Sequence, residues 1–383
     1  MREKILYITA YVPHRAAAGE KNTMLMLNDL AQIYDVDLIY FKYKKEDFYK
    51  PETSNIRVLK VFRNSNTIKL WGIANLPFLH PVYSIRFSWF KFIFFYRLIK
   101  KYKYKAIVLN HSNVFIYGKF LDKKIPKILF AHDVIIQRAL RSSGKLMQFI
   151  CKQSEKMCFK IPNSHIFSFS QKDVDIIKHE YNISAKVCLD YIDPNIINKT
   201  IDRIDDYYMF FGDWSRKENY EGAIWFIEHI SPLIKEKTIV KIVGRRFPVE
   251  RIKNTNPLVH YEVMGFVDDP YDILSKAKAL ISPLFKGAGI KVKVIESLAC
   301  GTPVIGTAIA FEGLPKDFKS FMLTANTPQE YVNSMGKIPQ NINKRRDLKE
   351  RFIKYYSQDS IVKYTETRPI SDGFRKNNVN YWA

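Results

Sequence analysis

The sequence predicts an α/β protein built from two domains, each a parallel β-sheet covered by helices. Short apolar stretches typical of buried strands alternate along the chain with longer stretches of helical periodicity. The 383 residues suffice for two domains of roughly 150–200 residues, each with its own core. A polar stretch at 199–206 separates two series of predicted strands. We therefore place a first domain at 1–195 and a second at 206–345.

The composition is that of a globular protein, with 47% hydrophobic and 26% charged residues. Four cysteines without metal-ligand spacing, no uncharged apolar run of 18 residues and no signal-peptide pattern predict a cytoplasmic protein with reduced thiols. The net charge of +23 calls for an anionic partner. Nucleic acid and an anionic membrane surface both fit this charge, so its distribution along the chain has to decide between them.

The first domain opens with a β-α-β pattern, in which apolar stretches at 4–9 and 36–41 flank a helical pattern at 22–33. Gly19 falls in the first loop, where α/β folds expose ligand sites, although a simple turn glycine is the alternative. Further strands are predicted at 57–60, 106–109, 127–130 and 165–169. The stretches between them are long enough for crossover helices, which favours a parallel sheet.

His132 follows the predicted strand 127–130 and precedes Asp133. A side chain at the carboxyl end of a parallel strand points into the crevice where such sheets bind ligands. We therefore select His132 as a candidate site residue. A purely structural histidine is the alternative on the residues alone.

The second domain begins with a predicted strand at 208–212 and a polar loop at 212–219. Arg216 and Lys217 in this loop are candidates to bind a diphosphate, and solvated surface charges are the alternative. The later pair Asp268-Asp269 is expected to cap the following helix rather than to bind a metal.

The most informative stretch is 282–306, which reads as strand end, glycine loop, helix and strand, with Gly287 and Gly289 opening the helical pattern. Lys291 and Lys293 would fall in the first helical turn, where free N–H groups and the helix dipole already make the site positive. An anion such as a phosphate at the helix start removes this conflict.

Glu296 lies about a turn and a half further along the same predicted helix. It is within reach of the hydroxyls of a sugar attached to such a phosphate. The alternative for this helix is two solvated lysines and a surface glutamate.

The same residues match a known family at the same spacing. The pattern G-x-G-I-K-x-K-x-x-E-x-L-A-x-G-x-P-V-I-G-T at 287–307, followed by F-E-G-L at 311–314, resembles the nucleotide-sugar loop of the retaining GT-B glycosyltransferases of family 4, the group 1 glycosyltransferases. The resemblance implies two Rossmann-like domains whose parallel sheets face a cleft. It also implies helices at 346–366 that cross back to the first domain, and 367–383 read as a loose tail.

The resemblance implies roles for individual residues. Catalysis is assigned to His132, Lys291 and Arg216, and binding of the donor to Gly19, Lys217, Val267, Gly287, Gly289, Ile290, Lys291 and Glu296. Within this set His132 would line the donor sugar, Val267 would meet the base, and Glu296 would hold the ribose. Gly19 would border the acceptor side of the cleft. Many members carry a second glutamate eight residues before Glu296, and Ala288 stands at that position here.

Segment 83–105, which we call the basic aromatic segment, mixes aromatic and basic residues. A continuous helix would bring together the side chains of Arg86, Trp89, Phe90, Ile93, Phe94, Arg97, Lys100 and Lys101. Such a face suits the interface of an anionic bilayer. Core packing and stacking on single-stranded nucleic acid are the alternatives. We favour the membrane surface, because no RNA-binding pattern is present.

We therefore expect a retaining, metal-independent glycosyltransferase that uses a nucleotide-diphosphate sugar as donor, with UDP the expected nucleotide, and needs no cofactor. The expected acceptor is a glycan or lipid-linked glycan of surface polysaccharide or lipopolysaccharide synthesis, met by peripheral docking on the inner face of the membrane, and no nucleic-acid partner is expected. A sugar-nucleotide epimerase or hydrolase on the same fold and a non-enzymatic RNA- or lipid-binding protein are the alternatives.

Overall fold

The computed structural model of the chain describes residues 2–14, 18–43, 46–64, 78–253, 256–287 and 289–366. Within these residues the strands form two sheets, of seven and six strands, and every strand pair is parallel. The predicted fold class, two Rossmann-like domains with parallel sheets, is therefore confirmed. Ala288 and the predicted tail at 367–383 lie outside the described residues.

The first sheet contains β1 (Lys4–Thr9), β2 (Asp35–Tyr43), β3 (Ile56–Asn64), β4 (Ala106–Asn110), β5 (Lys127–Ala131), β6 (Ser164–Ser168) and β7 (Lys186–Val187). The helices of this half of the chain are α1 (Ala18–Ile33), α2 (Pro81–Ser84), α3 (Trp89–Lys101), α4 (Phe115–Gly118), α5 (Ile135–Ser142), α6 (Lys145–Phe159), α7 (Gln171–Tyr181) and α8 (Pro194–Ile197).

The second sheet contains β8 (Tyr207–Phe211), β9 (Thr238–Val243), β10 (Val259–Gly265), β11 (Leu280–Ser282), β12 (Val304–Gly306) and β13 (Met322–Thr324). Its helices are α9 (Lys217–Trp225), α10 (Tyr271–Lys276), α11 (Val292–Ala299), α12 (Pro328–Met335), α13 (Ile342–Tyr356) and α14 (Val362–Glu366). One π turn, Phe226–Ile230, extends α9, and 3-10 helices lie at Ser112–Val114, Ser231–Leu233, Val249–Arg251, Ala308–Phe311 and Lys316–Phe321.

The sequence of β1 shows why each sheet is covered on both faces. Ile5 and Tyr7 pack into one hydrophobic core, and Leu6 and Ile8 pack into another on the opposite face. Apolar residues on both faces are typical of a parallel strand buried between two layers of helices. Strand β8 divides its side chains between two cores in the same way.

The order of the strands creates one crevice in each sheet. The first sheet runs β3-β2-β1-β4-β5-β6-β7, and the second runs β10-β9-β8-β11-β12-β13. The direction of strand addition therefore reverses between β1 and β4 and again between β8 and β11. Ligands of open α/β sheets bind at the carboxyl ends of the strands at such reversals.

The C-terminal helices cross back to the first domain, as the resemblance implied. Helix α13 packs its Leu348 into the core of the second domain. The chain then returns to the first domain, where the ring of Tyr364 lies 4.1 Å from that of Phe167. The Asp359 carboxylate accepts a hydrogen bond from the backbone N–H of Leu189 at 3.0 Å.

The basic aromatic segment is not the continuous helix that we expected. Helix α2 ends at Ser84, and α3 begins at Trp89 after Ser88, whose hydroxyl caps it. Arg86 lies between the two helices and is only 3% exposed. It therefore does not belong to the cationic face that we predicted, because the turn between α2 and α3 directs it into the protein.

Three further boundaries differ from prediction. Helix α1 begins at Ala18, so Gly19 lies in its first turn and not in a loop. Helix α11 begins at Val292, which makes Lys291 the N-cap residue rather than part of the first turn. Strand β10 was not predicted, because it is an edge strand whose half-buried and exposed polar residues hide the apolar alternation.

Candidate functional site

The carboxyl ends of the two sheets face each other, and the glycine loop after β11 touches the loop after β5. Gly289 has φ +67°, and a Cβ on it would lie 2.5 Å from Asp133 Oδ1 and 3.1 Å from the His132 carbonyl oxygen. Only glycine fits this position without displacement. The fold thus brings together the predicted histidine, His132, and the predicted glycine loop, although Gly289 lies 157 positions later in the sequence.

The two lysines of the loop lie at the start of α11. The Lys291 ammonium donates a hydrogen bond to the Gly289 carbonyl at 2.7 Å, and Lys293 donates to the Asn219 side chain at 3.1 Å. Burial lowers the pKa of Lys291, against the opposing charges of Glu312 and Asp133. Burial and the Lys291 charge lower the pKa of Lys293 to about 7.

Neither lysine makes an ion pair with the described residues. Burial makes the charged form of each costly, and no carboxylate within the described part of the chain sits directly on either ammonium. A Cβ on Gly287, at φ +136°, would lie 3.3 Å from Lys291 Cε, so this glycine leaves the lysine its space. The helix start therefore offers an anion site with two lysines beside it, and a bound anion would favour their charged forms.

Glu296 lies about one turn into α11, and its carboxylate contacts residues across the cleft. Its carboxylate forms an ion pair with Lys21 of α1 and accepts a hydrogen bond from the Tyr271 hydroxyl at 2.8 Å. Lys21 also lies 3.2 Å from Asp193. Burial disfavours the Lys21 charge, but Glu296 and Asp193 outweigh it and raise the pKa.

Lys21 is a site residue that the sequence analysis missed. Our predicted helix began at residue 22, and a single lysine before it gives no periodic signal. The sequence shows that Lys21, Asn22 and Thr23 are three polar residues in a row. The structure shows that all three are buried. Polar residues on a helix that faces the core indicate a site on that side.

His132 stands in a stack of rings at the end of the first sheet. Its Nε2 is 2.7 Å from Asn110 Oδ1, and its ring stacks on that of His111 with centroids 3.7 Å apart. Burial lowers the pKa of His132 to about 3. Burial, with repulsion from His132 when that ring is protonated and from the Arg86 charge, lowers the pKa of His111 well below its usual range. Both imidazoles are therefore neutral near pH 7.

His111 was also missed by the sequence analysis. It adopts φ +74°, which is uncommon for a residue with a side chain, and it follows β4 directly. Its signal is its position at a strand end, the same signal that identified His132. Gly19 borders both rings, because a Cβ on it would lie 3.6 Å from His111 Nε2 and 3.7 Å from His132 Nδ1.

The two basic residues after β8 differ from each other. Lys217 is exposed and lies 3.4 Å from Glu221 on its own helix, which is the arrangement of a solvated pair. Arg216 is exposed as the N-cap of α9. Its charge lowers the pKa of Asp133 and of Glu20, which both lie across the cleft. Burial and the Glu46 charge outweigh this effect at Glu20 and raise its pKa to about 7. Arg216 therefore borders the site, whereas Lys217 points to solvent.

The remaining predicted residues lie on the second-domain side. Val267 is half-buried against the core of that domain, directly after Phe266, on whose exposed ring the Arg245 guanidinium lies at 3.9 Å. Ile290 packs against a core cluster of each domain. The assignments of all these residues to donor contacts stay predictions.

Two ion pairs, both to Glu312, connect the glycine-loop region of the second domain to the first domain. Arg141 of α5 donates to the Gly287 carbonyl and pairs with Glu312 at 3.0 Å. Lys172 of α7 pairs with the same carboxylate at 2.7 Å. Glu312 belongs to the F-E-G-L motif, so this motif joins the two domains rather than facing solvent.

The described residues contain no group of three or more His, Cys, Asp or Glu side chains arranged to hold a metal ion. Asp269 accepts the backbone N–H of Tyr271 at 3.1 Å at the start of α10, the capping role expected for it, and pairs with Lys199 at 2.6 Å. Among the helices that the structure describes, none is both long enough and apolar enough to cross a bilayer.

Comparison with known proteins finds a family match within the second domain. Residues 205–341 match the family model described as glycosyl transferases group 1. Over 98% of its length the chain is 23% identical to the whole of an uncharacterized 44.6 kDa protein in the cps region of Klebsiella pneumoniae.

The whole chain is similar in fold to solved glycosyltransferases. WaaG, a glycosyltransferase involved in lipopolysaccharide biosynthesis, matches with a TM-score of 0.64 at 11% identity, over 94% of this chain and 97% of that one. Anabaena Alr3699/HepE in complex with UDP matches with a TM-score of 0.62 at 14% identity, over 95% and 97%. Residues 205–341 are thus similar in sequence to the group 1 glycosyl transferases, and the chain as a whole has the GT-B fold.

Proposed function

We propose that the protein transfers a sugar from a nucleotide-diphosphate sugar to a glycan or lipid-linked acceptor, with retention of the anomeric configuration. One observation carries the proposal: two glycines and two lysines without ion pairs to the described residues lie together at the start of α11, where Gly289 closely approaches His132 and Asp133 of the other domain. A donor diphosphate would occupy that site, with its sugar beside His132.

The catalysis that this arrangement supports is electrostatic. Lys291 and the free N–H groups at the start of α11 stabilise the charge that builds on the leaving diphosphate, and Arg216 borders the same space. His132, neutral at working pH, offers a hydrogen bond to a sugar hydroxyl and no charge. This mechanism uses no metal ion and no cofactor beyond the donor substrate.

UDP is the nucleotide we propose, because a structural relative, Anabaena Alr3699/HepE, has been solved with UDP and with UDP-glucose. The relative encoded in the cps region and the likeness to WaaG support a role in surface polysaccharide synthesis. We propose that this sugar transfer takes place on the cytoplasmic face of the membrane.

The test is a panel of nucleotide sugars with and without glycan acceptors. Release of nucleoside diphosphate that rises with acceptor, together with a glycosylated product, identifies a transferase. Release without any product would instead identify a hydrolase, an isomerised donor would identify an epimerase, and no release at all would identify a binding protein.

The donor site itself is tested by calorimetry. Lys291→Ala should lower the affinity for UDP about ten- to a hundredfold through loss of a charge-assisted contact, and Glu296→Ala should weaken it as well. Lys286→Ala is the matched control, because this lysine is 67% exposed and lies in the same loop, 3.8 Å from Glu221. Equal affinities of Lys291→Ala, Glu296→Ala and wild type would refute the assignment.

We propose further that α3 docks the enzyme on an anionic membrane. Its solvent side carries apolar and cationic residues together: Trp89, Phe90, Ile93, Tyr96, Arg97, Lys100 and Lys101. Phe90 is 83% exposed, which is unusual for phenylalanine in a protein surface that meets only water. Phe94, which we had placed on this face, packs instead on Phe62 with ring centroids 5.6 Å apart.

Co-sedimentation with vesicles tests this docking. The wild type should pellet with anionic but not with zwitterionic vesicles, and changing Arg97, Lys100 and Lys101 to Glu should abolish pelleting, since each cation contributes about 1 kcal/mol near a charged leaflet. Changing the exposed Lys319, Lys337 and Lys344 of the second domain to Glu alters the net charge equally and should leave pelleting intact. Pelleting of the first triple variant like wild type would rule out this surface.

A further inference from the structure

We propose that the first domain contains a second oxyanion site, built around Arg86, that receives a phosphate or carboxylate carried by the acceptor. The proposal deepens the proposed function, because it names the chemical class of the acceptor, and it rests on that function. Arg86 lies between α2 and α3 and contacts Ala10 and Tyr11, which follow β1 at the carboxyl edge of the first sheet.

Arg86 is held rigidly in place. Its Nε donates to the Ala10 carbonyl at 2.9 Å, and its guanidinium lies 4.6 Å from the centre of the Tyr11 ring. Its own carbonyl accepts hydrogen bonds from the Tyr117 hydroxyl at 2.5 Å and from the Lys91 ammonium at 3.3 Å. The side chain is therefore preorganised, with the two terminal nitrogens of its fork making no hydrogen bond to the described protein.

The charge of Arg86 is buried without a counter-ion. Only 3% of the residue is exposed, and it forms no ion pair with the described residues. Lys91 beside it has no ion pair there either, and burial together with the Arg86 charge lowers the pKa of Lys91 to about 8. Segment 65–77, which follows β3, contains no Asp or Glu in the sequence.

A buried guanidinium without a carboxylate is costly for the fold, and such a charge is usually paired. Two neighbouring cations in the same environment increase the cost. An anion from outside the protein would remove it. The planar fork of arginine fits the two oxygens of a phosphate or carboxylate.

The position of this site relative to the donor identifies its occupant. The ring of His132 stacks on His111, the Tyr11 ring meets His111 edge-on with centroids 4.8 Å apart, and Arg86 lies over Tyr11. This row places two rings between Arg86 and His132, and no hydrogen bond or ion pair among the described residues joins Arg86 to Lys291 or Lys293. An oxyanion at Arg86 would therefore belong to the acceptor and not to the nucleotide.

The test uses the full-length protein saturated with UDP, so that the donor diphosphate site is filled. Inorganic phosphate and glucuronate are titrated separately by calorimetry at constant ionic strength, which distinguishes an acceptor phosphate from a sugar carboxylate. The wild type should bind one of them, and Arg86→Gln should weaken that binding about tenfold or more while UDP affinity stays unchanged. Arg251→Gln, an exposed arginine of the second domain, should behave as wild type.

A wild-type protein that binds neither phosphate nor glucuronate, or an Arg86→Gln variant that binds as wild type does, would overturn the proposal and leave Arg86 a structural residue. Two measurements protect the test against a variant that fails to fold. The bound oxyanion should raise the melting temperature of wild type, and Lys91→Gln should weaken binding too. Failure of UDP to bind would refute the proposed donor, whereas the comparison of Arg86→Gln with Arg251→Gln would still report on this site.

Discussion

The two walls of the cleft differ in composition: one is formed mainly by backbone and the other mainly by side chains. The second-domain wall is a continuous stretch of backbone, in which Gly287 and Gly289 adopt positive φ and Lys291 supplies charge. The first-domain wall is a row of side chains, His132, His111 and Tyr11, that come from three different strand ends. One wall suits a phosphate, whose position is set by charge and backbone, and the other suits a sugar, which is held by rings and neutral hydrogen-bonding groups.

The difference predicts which substitutions each wall can tolerate. A wall of backbone and glycine depends on close approach, so an added methyl group has a large effect. A wall of side chains loses one contact at a time. Lys21 and Glu296 connect the two walls through a buried ion pair, so the comparison can be tested at the connection, at the backbone wall and at the ring wall.

The largest effect is expected at the connection. Lys21→Met leaves Glu296 and Asp193 buried without their cation, and breaking such a buried pair costs about 3–5 kcal/mol. Thermal melting should show a strong destabilisation, and adding Glu296→Gln should recover part of it, because the unpaired charge is then removed. Lys276→Met disrupts only the partly exposed pair with Asp272 and should cost under about 1 kcal/mol. Equal melting temperatures for the two lysine variants would contradict a connection through charge.

An intermediate effect is expected at the backbone wall. Gly289→Ala forces a side chain into φ +67° and against Asp133, with a conformational cost of about 1–2 kcal/mol before the clash is counted. UDP affinity should fall about tenfold or more while the protein stays folded. Gly144→Ala is the control, since no atom lies within 4 Å of the added Cβ there. If the two alanine variants bind UDP equally, close approach is not what this loop requires.

The smallest effect is expected at the ring wall. His132→Ala removes a neutral hydrogen-bonding group worth about 1 kcal/mol, so turnover should fall several-fold while UDP affinity is unchanged. The exposed His229→Ala serves as control. A parallel loss of UDP affinity would place His132 at the diphosphate instead of the sugar.

The pH dependence sharpens this prediction. Because burial lowers the pKa of His132 to about 3, the ring carries no proton in the folded protein at pH 5–8, and the variant and wild-type pH–turnover profiles should superimpose after scaling. The unfolded state binds that proton below about pH 6.5, so this histidine lowers stability progressively as the pH falls from there towards 3. If turnover of the wild type changes with pH in a range where turnover of His132→Ala does not, then the His132 ring gains or loses a proton in that range, and this prediction is wrong.

The sequence by itself determined the features that are contiguous. Most strands and the glycine loop at 282–306 depend on local periodicity and on residues a few positions apart, and the structure has them within a few residues of the predicted positions, with unpredicted strands such as β10 as the exception. Lys291 beside Gly287 and Gly289 was visible for the same reason, since helix start and loop are one stretch of chain.

Only the tertiary structure decided which side chains meet. Lys21 opposite Glu296, His111 under His132 and the inward turn of Arg86 depend on which strand ends are neighbours in the sheets and on how the sheets face each other. Local backbone preferences carry no information about partners that are dozens or hundreds of residues away. The same limit explains why Arg86 and Phe94, grouped by helical spacing with Arg97 and Lys100, were found on the inside.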